Sequence, residues 1–287
     1  MREIIGNIYS HLSLDRLSEA QNASGVALSA PRFVESYREM ARCIAVLAQK
    51  NRGFYLLYRG QDEDYQTNSA KPRTNIAPSI FRPQKGRKLD TRLKQQRIEA
   101  LKDGQKALLK LDFEDTSYNK SYLKHYEVLA WALFQHYHVM PTPLLDVTAS
   151  LHTACSIAAH SWKENRKKQE QKHAALYVLG FDETTLNMSF SFNSGLQLIR
   201  LLSVMPETAL RPLYQEGFLT GAFPQDDIFA KTTQHNFAVR LIAKFSFDPE
   251  HFWQKPFQAI PKDILFPKDD PMGRILKPLC TEYESLW

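Results

Sequence analysis

The spacing of hydrophobic residues predicts helices and strands in alternation along the first half of the chain. Apolar residues recur every three or four positions through residues 33–47, which predicts one face of an amphipathic helix that ends near Gly53. The run from Phe54 to Tyr58 is short, apolar and aromatic, and it predicts a fully buried strand. Residues 122–138 predict a second helix with an apolar face.

The second half of the chain continues the same alternation. Residues 144–147 predict a short strand after two prolines, and the helix expected next is rich in small residues around 154–159, so its backbone can approach a sheet closely. Residues 174–181 and 237–247 predict two further strands, the last with alternating hydrophobic and polar positions. Interspersed strands and helices without repeats predict an α+β fold with a mixed β core and helical insertions.

Length and composition fit a globular protein with a sizeable core. The 287 residues are 43% hydrophobic and 24% charged, without the long apolar run of a membrane span or signal peptide, so a soluble cytoplasmic protein with no membrane contact is expected. We expect one main domain over 51–250, with a basic helical insertion at 82–120. Residues 1–50 are expected to form an N-terminal helical extension and residues 251–287 a C-terminal helical tail.

The positive charge of the chain is concentrated in one segment. The net charge is +6, and the residues from Arg82 to Lys110 hold ten lysines and arginines against three acids, which is more than the whole excess. This segment is either a phosphate-contacting face for a nucleic acid or a solvated basic helix, since aromatic residues that could stack on bases are missing after Phe81.

The first segment with a candidate chemical role is Tyr58-Arg59-Gly60-Gln61. An arginine that leaves a buried strand beside a glycine can present its planar guanidinium to a phosphate or carboxylate while the glycine lets a ligand approach the backbone. The alternative is that Arg59 pairs with an internal carboxylate such as Asp146.

The second segment runs from Gln135 to Thr148. Its prolines turn the chain back, so Gln135, His136 and Asp146 are expected to converge after the helix. Asp146 stands among apolar residues, and a buried carboxylate must be paired. Its candidate partners are Arg59, Arg82 and His136.

Metal binding is not predicted by these residues. His136 and His138 face apart on a helix and have no third ligand at metal spacing. Cys43, Cys155 and Cys280 form no Cys-x-x-Cys pair, which indicates reduced and mostly buried thiols.

In order and spacing, these segments resemble the FRG domain, a bacterial family named for its Phe/Tyr-Arg-Gly motif. Here that motif is Tyr58-Arg59-Gly60, the family's Pro-Ser-x-x-Arg element is Pro78 to Arg82, and its Gln-His…Pro-Thr-Arg-Leu-Leu-Asp-x-Thr segment is Gln135 to Thr148. A late Arg-x-x-x-Gln-x-Gly-x-Phe element resembles the region from Arg211 to Phe218. The resemblance covers roughly residues 50–250.

Two positions depart from the family's pattern. His138 stands in the neighbourhood of the usual glycine, and Pro143 replaces the usual arginine. A contact that the arginine makes elsewhere in the family therefore does not carry over to this chain.

A second, weaker resemblance is to ADP-ribosyltransferases. Their order of a strand ending in Tyr-Arg-Gly, a Ser/Thr-rich strand leading into a small-residue helix, and a late Gln/Glu-x-Glu segment is matched by Tyr58-Arg59-Gly60, by Asp146 to Ser150, and by Gln215-Glu216. This resemblance implies an ADP-ribosyltransferase-like fold and NAD as the substrate.

The resemblance also implies roles for single residues. Arg59 would bind phosphate or ribose, the Gly60 backbone would hold the nicotinamide amide, and Thr148 or Ser150 would bond to ribose or position Arg59. Glu216 would stabilise the oxocarbenium-like state and orient the acceptor, with Gln215 or Asp146 as its substitute. The other residues expected in the NAD-binding set are Tyr58, Gln61, Arg82, Gln135 and His136.

The implied function is an intracellular toxin or phage-defence effector that modifies a macromolecule, either a protein or a nucleic acid, with an inhibitor or defence-system protein as its partner. Two alternatives stay open. One is a non-catalytic ligand-binding or sensor module that uses an Arg59 and Asp146 pocket. The other is a nucleic-acid-directed binder or enzyme that acts through residues 82–110.

Overall fold

The computed structural model describes residues 1–4, 8–14, 20–83, 89–113, 120–165, 173–182, 187–222 and 236–287. The strands are β1 (Ile8–Tyr9), β2 (Ala20–Gln21), β3 (Arg32–Phe33), β4 (Tyr55–Gln61), β5 (Leu145–Thr148), β6 (Ala174–Phe181), β7 (Met188–Ser191), β8 (Leu196–Arg200), β9 (Gly217–Ala222) and β10 (Leu241–Phe247). The helices are α1 (Ala23–Leu28), α2 (Tyr37–Lys50), α3 (Thr91–Lys110), α4 (Lys120–His125), α5 (Glu127–His136), α6 (Leu151–Asn165), α7 (Leu201–Val204), α8 (Leu210–Gln215), α9 (Lys262–Leu265) and α10 (Pro271–Tyr283). This mixture of helices and strands confirms the predicted α+β class.

The chain divides into two compact units. Unit 1 comprises Met1–Ile76, Val147–Thr184 and Asn236–Leu265, and unit 2 comprises Ala77–Asp146, Thr185–His235 and Phe266–Trp287. The predicted domain boundaries at residues 50 and 250 stay predictions.

Unit 1 is built on a sheet whose strands follow the order β3, β10, β6, β4. β3 runs parallel to β10, while β10, β6 and β4 pair antiparallel. At the other edge of β4, Tyr58 lies directly opposite Thr148 of β5. The sequence segment that ends in Arg59 and Gly60 is thus an inner part of the sheet.

Helix α6 packs closely on β4 because small residues line the contact. A Cβ placed on Gly60 would lie 1.9 Å from the Ala154 carbonyl oxygen and 2.9 Å from the Ala158 Cβ. The close approach predicted for this small-residue helix is therefore confirmed, and Gly60 is the residue that permits it.

A fully buried lysine lies at the centre of unit 1. The side chain of Lys244 is 0% exposed, and its Nζ donates to Asp64 Oδ2 at 3.0 Å and to Thr74 Oγ1 at 2.7 Å. The Asp64 carboxylate also accepts from the Tyr177 hydroxyl at 2.8 Å and from Gln66 Nε2 at 2.7 Å. Each charged oxygen of Asp64 is thus bonded, which is the condition under which a buried ion pair is tolerated.

His11 lies next to this lysine and makes unit 1 sensitive to acid. Its Nε2 donates to the Ala30 carbonyl at 3.0 Å and its Nδ1 accepts from the Lys244 backbone N–H at 3.3 Å, so the neutral ring is fully used. Burial, followed by the charges of Lys244 and Arg32, lowers the pKa of His11 from 6.5 to about 4.

We expect the stability contribution of His11 to be complete above pH 6.5 and to be lost as the pH falls towards 4, because only the unfolded chain binds the proton in that window. A pKa lowered from 6.5 to about 4 corresponds to about 3 kcal/mol at pH 4. Urea unfolding of wild type and His11→Gln at pH 7 and pH 4.5 measures it. An equal loss of stability in both proteins would contradict the assignment.

Unit 2 has a core built around α5, whose residues from Val128 to His136 are all buried. The antiparallel strands β7, β8 and β9 pair in that order in the same unit. Helix α3 contributes Arg97, which is 2% exposed and donates to the backbone carbonyls of Ile80, Arg82 and Leu286. One arginine of the basic segment is therefore an internal residue that ties backbone segments together.

Four predicted elements differ from the observed ones. The strand predicted at 54–58 is β4 (Tyr55–Gln61), and it is not fully buried, because Tyr55 is 38% exposed. The first helix begins at Tyr37 rather than Phe33, because the Ser36 side chain caps it by accepting from the Glu39 N–H, and Asn51 rather than Gly53 is its C-cap. Helix 122–138 is interrupted at Tyr126. The first part of strand 237–247 is a 3-10 helix, and β10 is buried on both faces instead of alternating.

Two further expectations concern the whole chain. Among the described residues, no helix has the length and apolar character needed to cross a membrane. Cys43 and Cys155 are buried free thiols, as expected, and Cys280 is a partly buried one.

Candidate functional site

Within unit 1, the residues of the Tyr-Arg-Gly segment point to two faces of β4. Tyr58 and Gly60 face α6, while Arg59 lies directly opposite Tyr177 of β6 and shares its face, since paired residues of antiparallel strands project to the same side. Arg59 is partly buried, and its charge acts on the Tyr177 phenol. The Oε1 atom of Gln61 is buried and accepts no hydrogen bond from the described residues.

Tyr58 is a buried phenol in a cluster of weak acids. Burial, together with Tyr55, Cys155 and Tyr37, raises its pKa to about 12. Tyr58 is therefore a neutral hydrogen-bonding group near neutral pH.

Two hydroxyl residues, Thr148 at the end of β5 and Ser150 after it, serve the start of α6. Thr148 Oγ1 accepts from the Ser150 N–H at 3.0 Å, and Ser150 Oγ accepts from the Thr153 N–H at 3.2 Å, so Ser150 caps the helix. Because Thr148 pairs with Tyr58, its side chain lies on the Tyr58 face of the sheet and not on the Arg59 face. Their roles towards ribose and Arg59 stay predictions.

Within unit 2, the predicted convergence of Gln135, His136 and Asp146 is confirmed. Gln135 Nε2 donates to Asp146 Oδ2 at 2.7 Å, and His136 Nδ1 lies 3.2 Å from Asp146 Oδ1. The expectation that Asp146 is buried was wrong in degree, because 31% of its side chain is exposed. The paired carboxylate thus faces both the protein and solvent.

The orientation of Gln135 follows from its neighbours. Its Oε1 accepts from the Ser79 hydroxyl at 2.8 Å and from the Thr142 hydroxyl at 2.7 Å. With the amide oxygen used in this way, the Nε2 group must point to Asp146. The roles of Ser79 and Thr142 were missed in the sequence, although both lie in the segments that resemble the FRG domain.

Of the three converging residues, Gln135, His136 and Asp146, the side chain of His136 is the least exposed, at 2%. Burial and the charge of Arg211 lower its pKa, although the bond to Asp146 opposes this shift. The neutral ring donates from Nδ1 to the carboxylate, so Nε2 carries a lone pair. Nε2 is buried and has no hydrogen-bond partner in the described part of the chain.

His138, in the neighbourhood of the family's usual glycine, has a backbone conformation that favours glycine. His138 has a φ of 55°, in the left-handed region, just after α5 ends. Its Nε2 accepts from an Arg211 Nη at 2.9 Å. A glycine adopts a positive φ without a steric cost, whereas the side chain of His138 bears one here.

Gln215 and Glu216 lie at the end of α8. Gln215 is 7% exposed, whereas Glu216 is exposed and is the left-handed C-cap of the helix, with a φ of 45°. The structure thus uses Glu216 to end a helix. Its predicted catalytic role, and that of Gln215, stay predictions.

The basic segment exposes fewer cations to solvent than its sequence predicts. Arg97 is internal, Arg82 is exposed and donates from Nε to the Ala77 carbonyl at 2.9 Å, and Lys106 pairs with Asp103 at 3.0 Å. Residues 84–88, with three of the ten cations, lie outside the described residues.

No group of three or more histidine, cysteine, aspartate or glutamate side chains among the described residues has the arrangement of a metal site.

The family model of the FRG domain matches residues 55–170 of the chain. That span contains Tyr58-Arg59-Gly60, Gln135-His136 and Asp146, the segments that carried the resemblance. No curated protein and no solved structure matches the chain significantly.

Proposed function

Starting from the FRG domain at residues 55–170, we propose that the protein is an ADP-ribosyltransferase-like enzyme that cleaves NAD and modifies a macromolecule. The observation that supports this most is the Asp146 carboxylate, which Gln135 and His136 hold in place while 31% of its side chain stays exposed. A carboxylate fixed before the reaction stabilises a positively charged transition state without the cost of reorganising solvent.

The proposed reaction breaks the bond between C1′ of the ribose and the nicotinamide nitrogen. The bonding electrons leave with nicotinamide, so positive charge builds on the ribose while a diphosphate must be held. Arg59 is the proposed ligand of the diphosphate, since a guanidinium binds phosphate oxygens in pairs. The Gly60 backbone is proposed to hold the nicotinamide amide, and Thr148 or Ser150 to bond to the ribose.

We assign the charge-stabilising role to Asp146 in place of Glu216. Glu216 is exposed at a helix end, where water screens the charge of its carboxylate. Asp146 accepts two hydrogen bonds from groups that are themselves fixed in the core. A held charge acts on a developing cation more strongly than a solvated one.

The test compares Asp146→Asn with Glu216→Gln. We expect Asp146→Asn to lower the rate of nicotinamide release by about 10²–10³-fold, the usual effect of removing one preorganised electrostatic group. Glu216→Gln should keep the wild-type rate. Nicotinamide release from NAD, followed by mass spectrometry with cell lysate as the source of acceptor, gives both rates.

The Arg59→Gln variant tests whether Arg59 binds NAD. It should raise the NAD concentration needed for half-maximal release, and its thermal unfolding without NAD shows whether it is folded. If wild-type protein releases no nicotinamide and NAD does not shift its melting temperature, the proposal is wrong. The mass added to the acceptor identifies it as a protein or a nucleic acid.

As a toxin or phage-defence effector, the enzyme would stop growth when expressed. We expect expression of wild type to arrest cells and Asp146→Asn to relieve the arrest at equal protein level. Growth arrest that persists in Asp146→Asn would remove this part of the proposal.

A non-catalytic ligand-binding module is the second candidate. Three motif residues have structural roles, which favours this candidate over an enzyme. Gly60 packs against α6, and Thr148 and Ser150 form hydrogen bonds at the start of that helix. Binding of NAD that depends on Arg59, without nicotinamide release, would favour this candidate.

A further inference from the structure

Unit 2 contains two buried polar atoms that lack a partner among the described residues. They are His136 Nε2, on a side chain 2% exposed, and Arg211 Nε. Arg211 also forms no ion pair with a carboxylate in the described part of the chain, although Asp146 and Asp270 are near enough to influence its charge. One atom is a hydrogen-bond acceptor and the other a charged donor.

The guanidinium of Arg211 is held in place by its surroundings. Its Cζ lies 4.7 Å from the centre of the Phe266 ring and 5.8 Å from that of Tyr137. One Nη donates to His138 Nε2 at 2.9 Å, and the Arg211 backbone N–H donates to Asp270 Oδ2 at 2.8 Å. Because the side chain is already ordered, binding an anion would cost little side-chain entropy.

His136 is held in the same way by Asp146, and the two residues that follow it contact Arg211. The Asp146 bond fixes Nδ1 as the donor, so Nε2 can only accept. His136 directly precedes Tyr137 and His138, the two residues that contact the guanidinium, and the Arg211 charge acts on its ring. Unit 2 thus holds one donor, Arg211 Nε, and one acceptor, His136 Nε2, without partners in the described residues, and the two side chains are linked through Tyr137 and His138.

From these two atoms we propose that unit 2 binds a phosphate group, with Arg211 donating to its oxygens and His136 Nε2 accepting a hydrogen bond from its remaining O–H. A phosphate at neutral pH fits because it carries both negative oxygens and, in part of the population, an O–H donor. A carboxylate or a sulfate is an acceptor only, so it would satisfy Arg211 and leave His136 Nε2 unbonded.

The test titrates the full chain with inorganic phosphate, sulfate and AMP at constant ionic strength by calorimetry. We expect phosphate to bind more tightly than sulfate, and Arg211→Gln to weaken phosphate binding by about tenfold or more, the effect of losing one charge-assisted hydrogen bond. Arg200→Gln is the matched control, because Arg200 is an exposed arginine of the same unit, and it should bind as wild type does.

A second measurement uses wild-type protein and does not depend on a variant that folds. In a ¹⁵N-histidine NMR titration, phosphate should shift the Nε2 resonance of His136 with the calorimetric Kd. No shift at saturating phosphate, or equal binding by wild type and Arg211→Gln, would overturn the proposal. Tighter binding of AMP than of inorganic phosphate identifies a nucleotide as the source of the group, and equal binding identifies free phosphate.

This inference does not rest on NAD cleavage. Phosphate binding without nicotinamide release would support the phosphate site and contradict the proposed NAD cleavage. If wild-type protein binds no phosphate, and Arg211→Gln releases nicotinamide at the wild-type rate, the proposed NAD cleavage is supported and the phosphate site is contradicted.

Discussion

Replacing Gly60 with alanine is expected to destabilise unit 1 by about 3 kcal/mol or more, the upper range for overpacking a core. The added Cβ would lie 1.9 Å from the Ala154 carbonyl oxygen. That oxygen belongs to the backbone of α6, so it cannot turn away as a flexible side chain would. Either β4 or α6 must shift, and each is paired or packed along its length.

Urea unfolding of Gly60→Ala beside Gly53→Ala measures this effect. Gly53 precedes the same strand, and a Cβ there would meet nothing within 4 Å, so its replacement should change stability by no more than about 0.5 kcal/mol. Equal stability of the two variants would show that α6 does not pack on β4 as described.

The result bears on how the Tyr-Arg-Gly motif is interpreted. If Gly60→Ala loses stability as expected, then loss of activity in that variant reports on packing and not on ligand binding. Arg59→Gln, which leaves the glycine in place, is the variant that tests the motif's proposed chemistry.

Replacing Lys244 with methionine is expected to cost about 3–5 kcal/mol, the usual effect of removing one partner of a buried ion pair. Methionine fills a similar volume, so the loss reports on charge. Asp64 would keep its bonds to Tyr177, Thr74 and Gln66 but would lose the cation that balances it. A buried carboxylate without that cation favours unfolding, which rehydrates it.

Two comparisons make this prediction specific. Lys262→Met removes a cation that pairs with Glu164 on the exposed surface of the same unit, and it should cost no more than about 1 kcal/mol. Adding Asp64→Asn to Lys244→Met should recover part of the lost stability, because the unbalanced charge is gone. A Lys244→Met protein as stable as Lys262→Met would contradict the described ion pair.

Much of the candidate site could be predicted because its residues stand in short, ordered segments. Gln135 and His136 end a helix, two prolines follow, and Asp146 returns in a strand, so the chain geometry alone brings them together. The use of Arg211 could not be predicted in this way. It is separated from His138 by 73 positions, and no periodic pattern links the two.

Local sequence patterns predicted the α+β class, the strands β4 and β6, the helices α2 and α6, and the convergence on Asp146. Each of these follows from periodicity or turn chemistry inside one segment, which is set by local backbone geometry. Contacts between distant segments made Arg97 and Lys244 internal and gave Gly60 its role in packing against α6. Those outcomes depend on partners supplied by distant segments, such as Leu286 for Arg97 and Asp64 for Lys244. A charged side chain stays in solvent unless such a partner offsets the cost of its burial, and no local pattern reports that the partner is there.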